Sequence, residues 1–527
     1  MNHSGESVVV STASGRLAGR REGDVTVFRG VPYAEPPVGP LRFASPRPPR
    51  PWGGVREALA PGPLFLQPGA PGSGEDCLYA NVWTPEVSGS RPVLVYIHGG
   101  GWQVGGGSVP TFDGARPSAH GDIVVVTFNY RMAAFGFGLH EELADPESGA
   151  IANWGLQDQI ALLHWVQDNI AAFGGDPGNI TLCGTSAGGG TTYLLSLLPK
   201  VRDIVRRTIH ISAMHVWQPV NSLTPEDSRA VYELLARRFG TTVPGLREVP
   251  ATELWDAWAE VFSGSPEKRA VGSGREYRGP VADGTLMRGF DHELPTPDLP
   301  MMVVYNHTEG SFFTDPLAGS FPPAPPAPVD DEELREAVRG VLIKGAAEVG
   351  DALVDACVAH YRESARADGL PDDHLSLWTE VWGDALFRHQ IVRLAERHAR
   401  EGRSEQYLME FAHPLQPPHS GTPHDATSKF LFASHRRPEF VGQFGDGPRE
   451  RLVSDAFIEL VASFARDGVP RSAHVPDWPV FSPDRPSTLI LGGRDGDLAR
   501  VGVTPKLRQL AFWDDADWGP RPTTATG

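Results

Sequence analysis

Apolar runs and amphipathic stretches alternate through the first part of the chain. The apolar runs at 91–97 and 123–131 and the alternating run at 25–28 predict β-strands. After residue 153, apolar residues recur at nearly the 3.6-residue spacing of a helix, and the Gly-Gly-Asp-Pro at 174–177 ends that pattern. Because strand, helix and strand follow one another in this way, the pattern predicts an α/β protein with a doubly wound, mainly parallel central sheet.

Helical patterns dominate two later regions, at about 217–300 and 316–405, and predict helical cap insertions above the sheet. The predicted helices in and after these regions lie at 230–239, 253–262, 331–343, 352–362, 382–399 and 456–465. Their apolar stripes need the sheet or each other for burial, so residues 1–527 are predicted to form one domain. The run at 406–411 is the last predicted strand, and residues 518–527 are expected to form a disordered tail.

The charge balance limits the partners. The 527 residues carry 47 Lys and Arg against 65 Asp and Glu, a formal net charge of -18. A protein this acidic repels polyphosphate, so neither a nucleic acid nor an anionic membrane is expected as a partner. The three cysteines form no C-x-x-C pair, which argues against a disulfide framework or a cysteine metal site.

The amino terminus is polar, and its only apolar run is Val8 to Val10. Such a run is too short for a secretory segment, and no run approaches the roughly 18 apolar residues of a membrane span. The sequence therefore predicts a cytoplasmic protein. Basic residues are nearly all Arg and the Pro and Gly content is high, a composition that favours a bacterial source.

A strand-to-helix turn carries the most reactive candidate side chain. An apolar run ends at Gly184, Ser186 has a glycine two residues away on either side, and a helical pattern begins directly afterwards. This Gly-x-Ser-x-Gly arrangement is typical of a nucleophile elbow, which holds serine in a strained conformation and leaves no room for flanking side chains. A glycine-rich turn whose serine has no catalytic role would show the same pentapeptide. Other parts of the chain must therefore decide whether Ser186 is a nucleophile.

A second glycine-rich loop, His98-Gly99-Gly100-Gly101-Trp102, follows the apolar run at 91–97. Glycines after a buried strand let backbone N–H groups face a developing oxyanion, because substrate can approach them closely. The alternative is a merely flexible loop. We expect His98 to position the loop rather than to act as a base.

Motifs spread over the chain resemble the type-B carboxylesterase and cholinesterase family of α/β-hydrolases, in particular its bacterial, para-nitrobenzyl-esterase-like members. They are the Pro-rich block at 28–43, Glu75 to Trp83, Asn129-Tyr130-Arg131 before Phe135-Gly136, the pattern around Asp384 and Phe387-Arg388, and residues 478–481. The resemblance implies an α/β-hydrolase fold with a helical cap that cleaves carboxylic esters without a metal or organic cofactor. Secreted members pair the cysteine matching Cys77 with an earlier one, and here no cysteine precedes it.

The resemblance also implies roles for individual residues. Asn306-x-x-Glu309-Gly310 resembles the motif whose glutamate is the triad acid, whereas without the resemblance Glu309 would be taken for a surface residue. Ser186, Glu309 and His424 then follow the order Ser, acid, His of the α/β-hydrolases. The implied oxyanion-hole donors are the amides of Gly100, Gly101 and Ala187.

Three histidines lie close together in one loop, and the resemblance selects one of them. The family's catalytic histidine follows a glycine by a few residues, as His424 follows Gly421. The acidic residue that the family has three positions later is Thr427 here, which leaves His419 as a second candidate ahead of His413.

One departure from the family bears on substrate. Thr185 stands where a glutamate commonly precedes the serine, so a carboxylate beside the reaction centre is missing. Weaker attraction for cationic esters is expected, and a neutral small-molecule ester is the expected substrate. The candidate pocket residues are Trp102, Thr185, Trp217, Phe312 and Phe313.

Two other functions are compatible with parts of the pattern. An acyltransferase or cyclising enzyme would use the same acyl-enzyme and pass the acyl group to an alcohol or amine instead of water. A cholinesterase-like binding module would lack the nucleophile and be anchored in a membrane, whereas this chain keeps a full candidate triad. The sequence does not specify an oligomeric state, and a monomer is expected.

Overall fold

The computed structural model describes residues 5–213, 224–262, 279–288, 294–315, 326–342 and 349–515. These residues fold as two compact units. The first unit takes those within Met1–Thr208, Asn221–Leu294 and Ala465–Asp467, and the second takes those within Ile209–Val220, Pro295–Phe464 and Gly468–Gly527. Trp217 and the expected tail at 518–527 lie outside the described residues. The single domain predicted for residues 1–527 stays a prediction.

The first unit is built on a sheet with a parallel centre and an antiparallel edge. Its strands are β1 (Ser7–Thr12), β2 (Gly15–Glu22), β3 (Val25–Pro32), β4 (Val55–Glu57), β5 (Tyr79–Thr84), β6 (Arg91–Ile97), β7 (Val124–Phe128) and β8 (Gly175–Thr185). They lie in the order β1-β2-β3-β5-β7-β6-β8, with β4 beside β2. β6 pairs in parallel with β7 and β8, and every residue of β6 after Arg91 is buried. Strand β9 (Val205–Ile211) contains the point at which the chain passes to the second unit.

Helices of the first unit follow the predicted strand-helix-strand pattern. They are α1 (Ala115–Gly121), α2 (Ala133–Gly136), α3 (Trp154–Asn169), α4 (Ala187–Ser196), α5 (Pro199–Arg202), α6 (Pro225–Arg238) and α7 (Ala251–Phe262). α3 continues into a 3-10 turn that ends at Gly174 in the left-handed conformation, as the glycine predicts. α6 begins earlier than predicted because the Thr224 hydroxyl caps it, accepting a hydrogen bond from the Asp227 amide, and Pro225 occupies the first turn.

The second unit contains the predicted strand at 406–411 and, after it in the chain, strands that the sequence pattern did not predict. β10 (Met301–Asn306), β11 (Gln406–Phe411) and β12 (Ser487–Leu491) are parallel, and β13 (Ala499–Val503) runs antiparallel to β12. The prediction that residues 406–411 form the last strand is therefore wrong. β12 is only five residues long and β13 carries exposed and glycine positions, so neither shows a clear strand period.

Helices of the second unit are α8 (Ser311–Thr314), α9 (Asp331–Leu342), α10 (Asp351–Asp368), α11 (His374–Gly383), α12 (His389–Arg400), α13 (Ala426–Leu431), α14 (Val441–Phe444), α15 (Pro448–Asp467, its last three residues in the first unit) and α16 (Leu507–Asp515). The helix predicted at 382–399 begins earlier than expected, at His374, and contains a π-helical turn at Asp384–Arg388. Parallel strands joined by helices confirm the α/β class.

Several of the motif residues hold the scaffold together. Arg131 forms a buried ion pair with Asp158, with a shortest separation of 2.7 Å. Arg42 pairs with Glu75 at 2.7 Å and also donates to two backbone carbonyl groups.

All three cysteines are buried and unpaired. None of the described helices has both the length and the apolar content to cross a membrane.

Candidate active site

Ser186 occupies a sharp turn between β8 and α4. Its φ of 60° and ψ of -125° lie outside the regions that residues with a side chain ordinarily adopt. A Cβ on Gly184 would lie 2.2 Å from the carbonyl oxygen of Gly188, and a Cβ on Gly188 would lie 2.1 Å from that of Ile97. No side chain fits at either position, so this turn requires glycine at both. Ser186 is 8% exposed.

The glycine loop after β6 runs directly beside this serine. A Cβ on Gly99 would lie 2.8 Å from both the Cβ of Ser186 and the carbonyl oxygen of Thr185. Gly100 and Gly101 have φ values of 110° and 61°, which glycine adopts without steric strain. The close approach of loop and serine therefore depends on residues without side chains.

His98 holds this loop from inside the first unit. Its Nδ1 donates a hydrogen bond to the carbonyl oxygen of Gly99 at 2.8 Å, and its ring stacks on Tyr130 at 4.4 Å. The Tyr130 hydroxyl donates to the His98 carbonyl oxygen at 3.0 Å. Burial lowers the pKa of His98 to about 4, although the bond to Gly99 acts in the opposite direction. A neutral, buried imidazole suits the positioning role expected for it.

Two side chains predicted to line the substrate pocket are buried. The Thr185 hydroxyl accepts a hydrogen bond from the Tyr96 hydroxyl at 2.9 Å. Trp102 is 1% exposed, and its indole N–H donates to the Thr191 hydroxyl at 3.0 Å. Thr191 in turn donates to the Ala187 carbonyl oxygen at 2.7 Å. Trp102 thus ties the glycine loop to the first turn of α4, and its role in substrate binding stays a prediction.

In the second unit, Glu309 and His424 form a hydrogen-bonded pair. Glu309 lies three residues beyond β10, and its Oε2 accepts a hydrogen bond from His424 Nδ1 at 2.7 Å. The other carboxylate oxygen accepts from the Ser212 hydroxyl at 2.6 Å and from the Asn306 amide at 2.7 Å. Glu309 is 2% exposed and His424 is 5% exposed. Because a carboxylate only accepts, Nδ1 carries the proton and Nε2 is left for proton exchange.

Ser212 and Asn306 support this pair, a role that the sequence pattern did not indicate for either residue. The Asn306 side-chain amide donates to the His424 carbonyl oxygen and to the Ser212 hydroxyl, both at 3.0 Å. Ser212 follows β9, and its backbone N–H donates to the Val304 carbonyl oxygen at 2.7 Å. Ser212 lies 97 residues before Glu309, so no local pattern could have connected them.

The three loop histidines have different surroundings. His424 pairs with Glu309, whereas His413 Nε2 contacts a Glu450 carboxylate oxygen at 3.3 Å. Burial lowers the pKa of His413, although the Glu450 carboxylate opposes this shift. His419 is partly exposed, and its backbone N–H donates to the Gln416 carbonyl oxygen at 2.9 Å. Of the three, His424 is the histidine bound to the predicted acid.

Aromatic side chains surround the His424 imidazole. Phe312 and Phe313 are partly exposed, and their ring centroids lie 5.9 and 5.8 Å from that of His424. In the first unit, burial raises the pKa of the Cys183 thiol, three residues before Ser186, well above its usual range, which disfavours the reactive thiolate. Within the described ranges, no three His, Cys, Asp or Glu side chains are arranged as metal ligands.

Comparisons with known proteins place the chain among the carboxylesterases over nearly its whole length. Residues 6–513 match the model of the carboxylesterase family. The phenmedipham hydrolase of Pseudarthrobacter oxydans is 33% identical over 525 residues, which cover 94% of this chain and 97% of that protein. The carboxylesterase EST55 of Geobacillus stearothermophilus superposes with a TM-score of 0.78 at 30% identity, covering 96% and 99% of the two chains. A PNB esterase superposes with a TM-score of 0.74 at 28% identity, covering 95% and 99%.

Proposed function

Because the chain belongs to the carboxylesterase family of α/β-hydrolases, we propose that it hydrolyses neutral carboxylic esters through an acyl-enzyme on Ser186. In this proposal His424 is the general base and Glu309 is the triad acid. The observation that carries the proposal is the 2.7 Å hydrogen bond between Glu309 and His424 Nδ1, which leaves Nε2 for proton transfer. The strained turn at Ser186 supports the assignment of the nucleophile.

In each half of the proposed reaction, one proton passes to His424 and then from it. His424 Nε2 takes the proton of the Ser186 hydroxyl while Oγ attacks the ester carbonyl carbon, and Glu309 stabilises the resulting imidazolium. The tetrahedral intermediate then collapses, the bond to the leaving oxygen breaks, and the imidazolium gives its proton to that oxygen. Water repeats the sequence on the acyl-enzyme, which releases the carboxylic acid and restores Ser186.

The amides of Gly100, Gly101 and Ala187 are the proposed oxyanion donors. Ala187 opens α4, where backbone N–H groups have no partner in the helix, and the two loop glycines have positive φ values that glycine adopts without strain. None of these three amides donates a hydrogen bond to a residue that the structure describes. A single donor of this kind contributes about 3 kcal/mol to lowering the barrier.

Product analysis tests hydrolysis against acyl transfer. We expect one equivalent each of acid and alcohol from a neutral ester in water, and the same products when a dilute alcohol or amine acceptor is added. A transesterified product or an amide as the main product under those conditions would replace hydrolysis by acyl transfer.

We expect neutral esters to outperform choline esters of the same acyl group, because Thr185 places no carboxylate beside the proposed nucleophile. Thr185→Glu should shift the ratio of kcat/KM values toward the choline ester by about tenfold, since a nearby carboxylate attracts the ammonium group. The matched control is Thr185→Gln, which has the same size without the charge. The shift should shrink at high salt. An equal shift in the Gln variant, or a wild-type preference for choline esters, would refute the electrostatic explanation.

A further inference from the structure

A wide helical turn brings an aromatic ring onto the face of His424. Residues Asp384–Arg388 form the π-helical turn between α11 and α12. Phe387 in this turn is fully buried, and its ring centroid lies 4.0 Å from that of His424, with the ring planes 31° apart. Turns of this kind are rare and are frequent at functional sites, so the contact calls for an explanation.

Buried charges hold the turn in place. Arg388, the neighbour of Phe387, donates from Nε to an Asp384 carboxylate oxygen at 2.6 Å and from Nη2 to the Gln509 side chain at 2.9 Å. The other Asp384 oxygen accepts from the Tyr361 hydroxyl at 2.7 Å. A buried ion pair with further hydrogen bonds has few alternative arrangements, so it fixes the backbone that carries Phe387.

A second contact ties the same helix to the loop that carries the acid. Lys506 Nζ donates to a Glu380 carboxylate oxygen on α11 at 2.6 Å and to the His307 carbonyl oxygen at 2.7 Å. Helix and loop also touch directly, since a Cβ on Gly310 would lie 1.9 Å from the Thr379 carbonyl oxygen. The helix and its π turn therefore locate the carboxylate on one side of the imidazole and the Phe387 ring on another.

We propose that Phe387 is a positioning residue for His424, an inference that rests on the proposed function. One hydrogen bond at Nδ1 still allows the imidazole to rotate over a limited range about its Cβ–Cγ bond, because that torsion has broad minima in histidine. The Phe387 ring at 4.0 Å blocks that rotation from one face. Nε2 must reach two oxygens in turn, the serine oxygen and the leaving oxygen, and small misplacements of a catalytic group slow such steps strongly.

This role has a signature that general damage to the fold would not produce. A nitrophenolate leaves without help, whereas an alkoxide such as ethoxide needs the proton of the imidazolium. A badly aligned His424 should therefore slow acylation by an ethyl ester more than acylation by the 4-nitrophenyl ester of the same acid. Loss of folded protein would lower both values by the same factor.

The test compares Phe387→Leu with a matched control, Phe430→Leu. Phe430 is also fully buried and also stacks on a histidine, His435, at 4.5 Å, but that histidine has no proposed role in catalysis. We expect Phe387→Leu to lower kcat/KM for the ethyl ester by about tenfold and for the 4-nitrophenyl ester by about twofold. Rates are normalised to active sites counted by organophosphonate labelling. Phe430→Leu should leave the ratio of the two values unchanged.

The outcomes separate this inference from the proposed function. Equal losses on both esters in Phe387→Leu, or the same change of ratio in Phe430→Leu, would overturn the positioning role. If Phe387→Leu does not fold, Phe387→Met, which fills the space without a ring, carries the same expectations. Turnover by Ser186→Ala would refute the proposed function itself, whatever the phenylalanine variants show.

Discussion

Ser186→Ala is expected to lower kcat for a 4-nitrophenyl ester by about 10⁶-fold, because it removes the atom that attacks the ester carbonyl. The substitution deletes one oxygen, so the fold should remain intact by circular dichroism and thermal unfolding. Intact-mass measurement after treatment with an organophosphonate should show one adduct on the wild-type protein, located at Ser186, and none on the variant.

Ser196→Ala is the matched control for this experiment. Ser196 is a fully buried serine at the end of α4, the helix that follows Ser186, and its hydroxyl donates to the Tyr193 carbonyl oxygen at 2.6 Å. We expect this variant to keep wild-type turnover and labelling. Labelling of Ser186→Ala at the wild-type rate would show that another residue is the nucleophile.

His424→Ala is expected to be about as damaging as the loss of Ser186, since members of a triad act as a unit and removal of the base leaves the serine hydroxyl un-ionised. His419→Ala should leave turnover nearly unchanged because that side chain is partly exposed and has no contact with Glu309. The measurements are kcat/KM for a neutral ester and the rate of organophosphonate labelling, which also requires the base.

His413→Ala is a stricter control because this histidine is buried like His424 and contacts Glu450 at 3.3 Å. We expect a lower melting temperature, since the partly buried Glu450 carboxylate loses His413 and keeps only Gln416 as a side-chain partner among the described residues, with turnover per folded molecule preserved. An active His424→Ala together with an inactive His419→Ala or His413→Ala would assign the base to another histidine of the loop.

Strand predictions succeeded where burial on both faces gives a long apolar run. β6 and β11 have the predicted bounds, because every residue of β6 after Arg91 and every residue of β11 is buried. β12 and β13 were missed, because a strand of five residues stabilised by pairing with its neighbours has little local signal. The π turn was also missed, because the buried ion pair of Arg388 and Asp384 that holds it depends on side chains from distant elements.

The residues around the candidate site also divide into those with a local sequence signal and those whose role depends on contacts between distant elements. Ser186, Glu309 and His424 stand in motifs that resemble those of the family, so their roles were predicted together with their positions. Ser212 and Phe387 stand in no motif that connects them with the acid or the base. Their contacts arise only when β9, β10 and the π turn are packed together.

The sequence by itself determined the α/β class, the sharp turn at Ser186 and the glycine loop after β6, because their signals are local. Apolar runs specify buried strands, and the sharp turn at Ser186 leaves room only for glycine at positions 184 and 188. The tertiary structure decided which histidine meets Glu309, that Thr185 and Trp102 are buried, and that an aromatic ring covers His424. Those outcomes depend on contacts between residues far apart in the chain, and the packing of the folded chain alone brings such residues together.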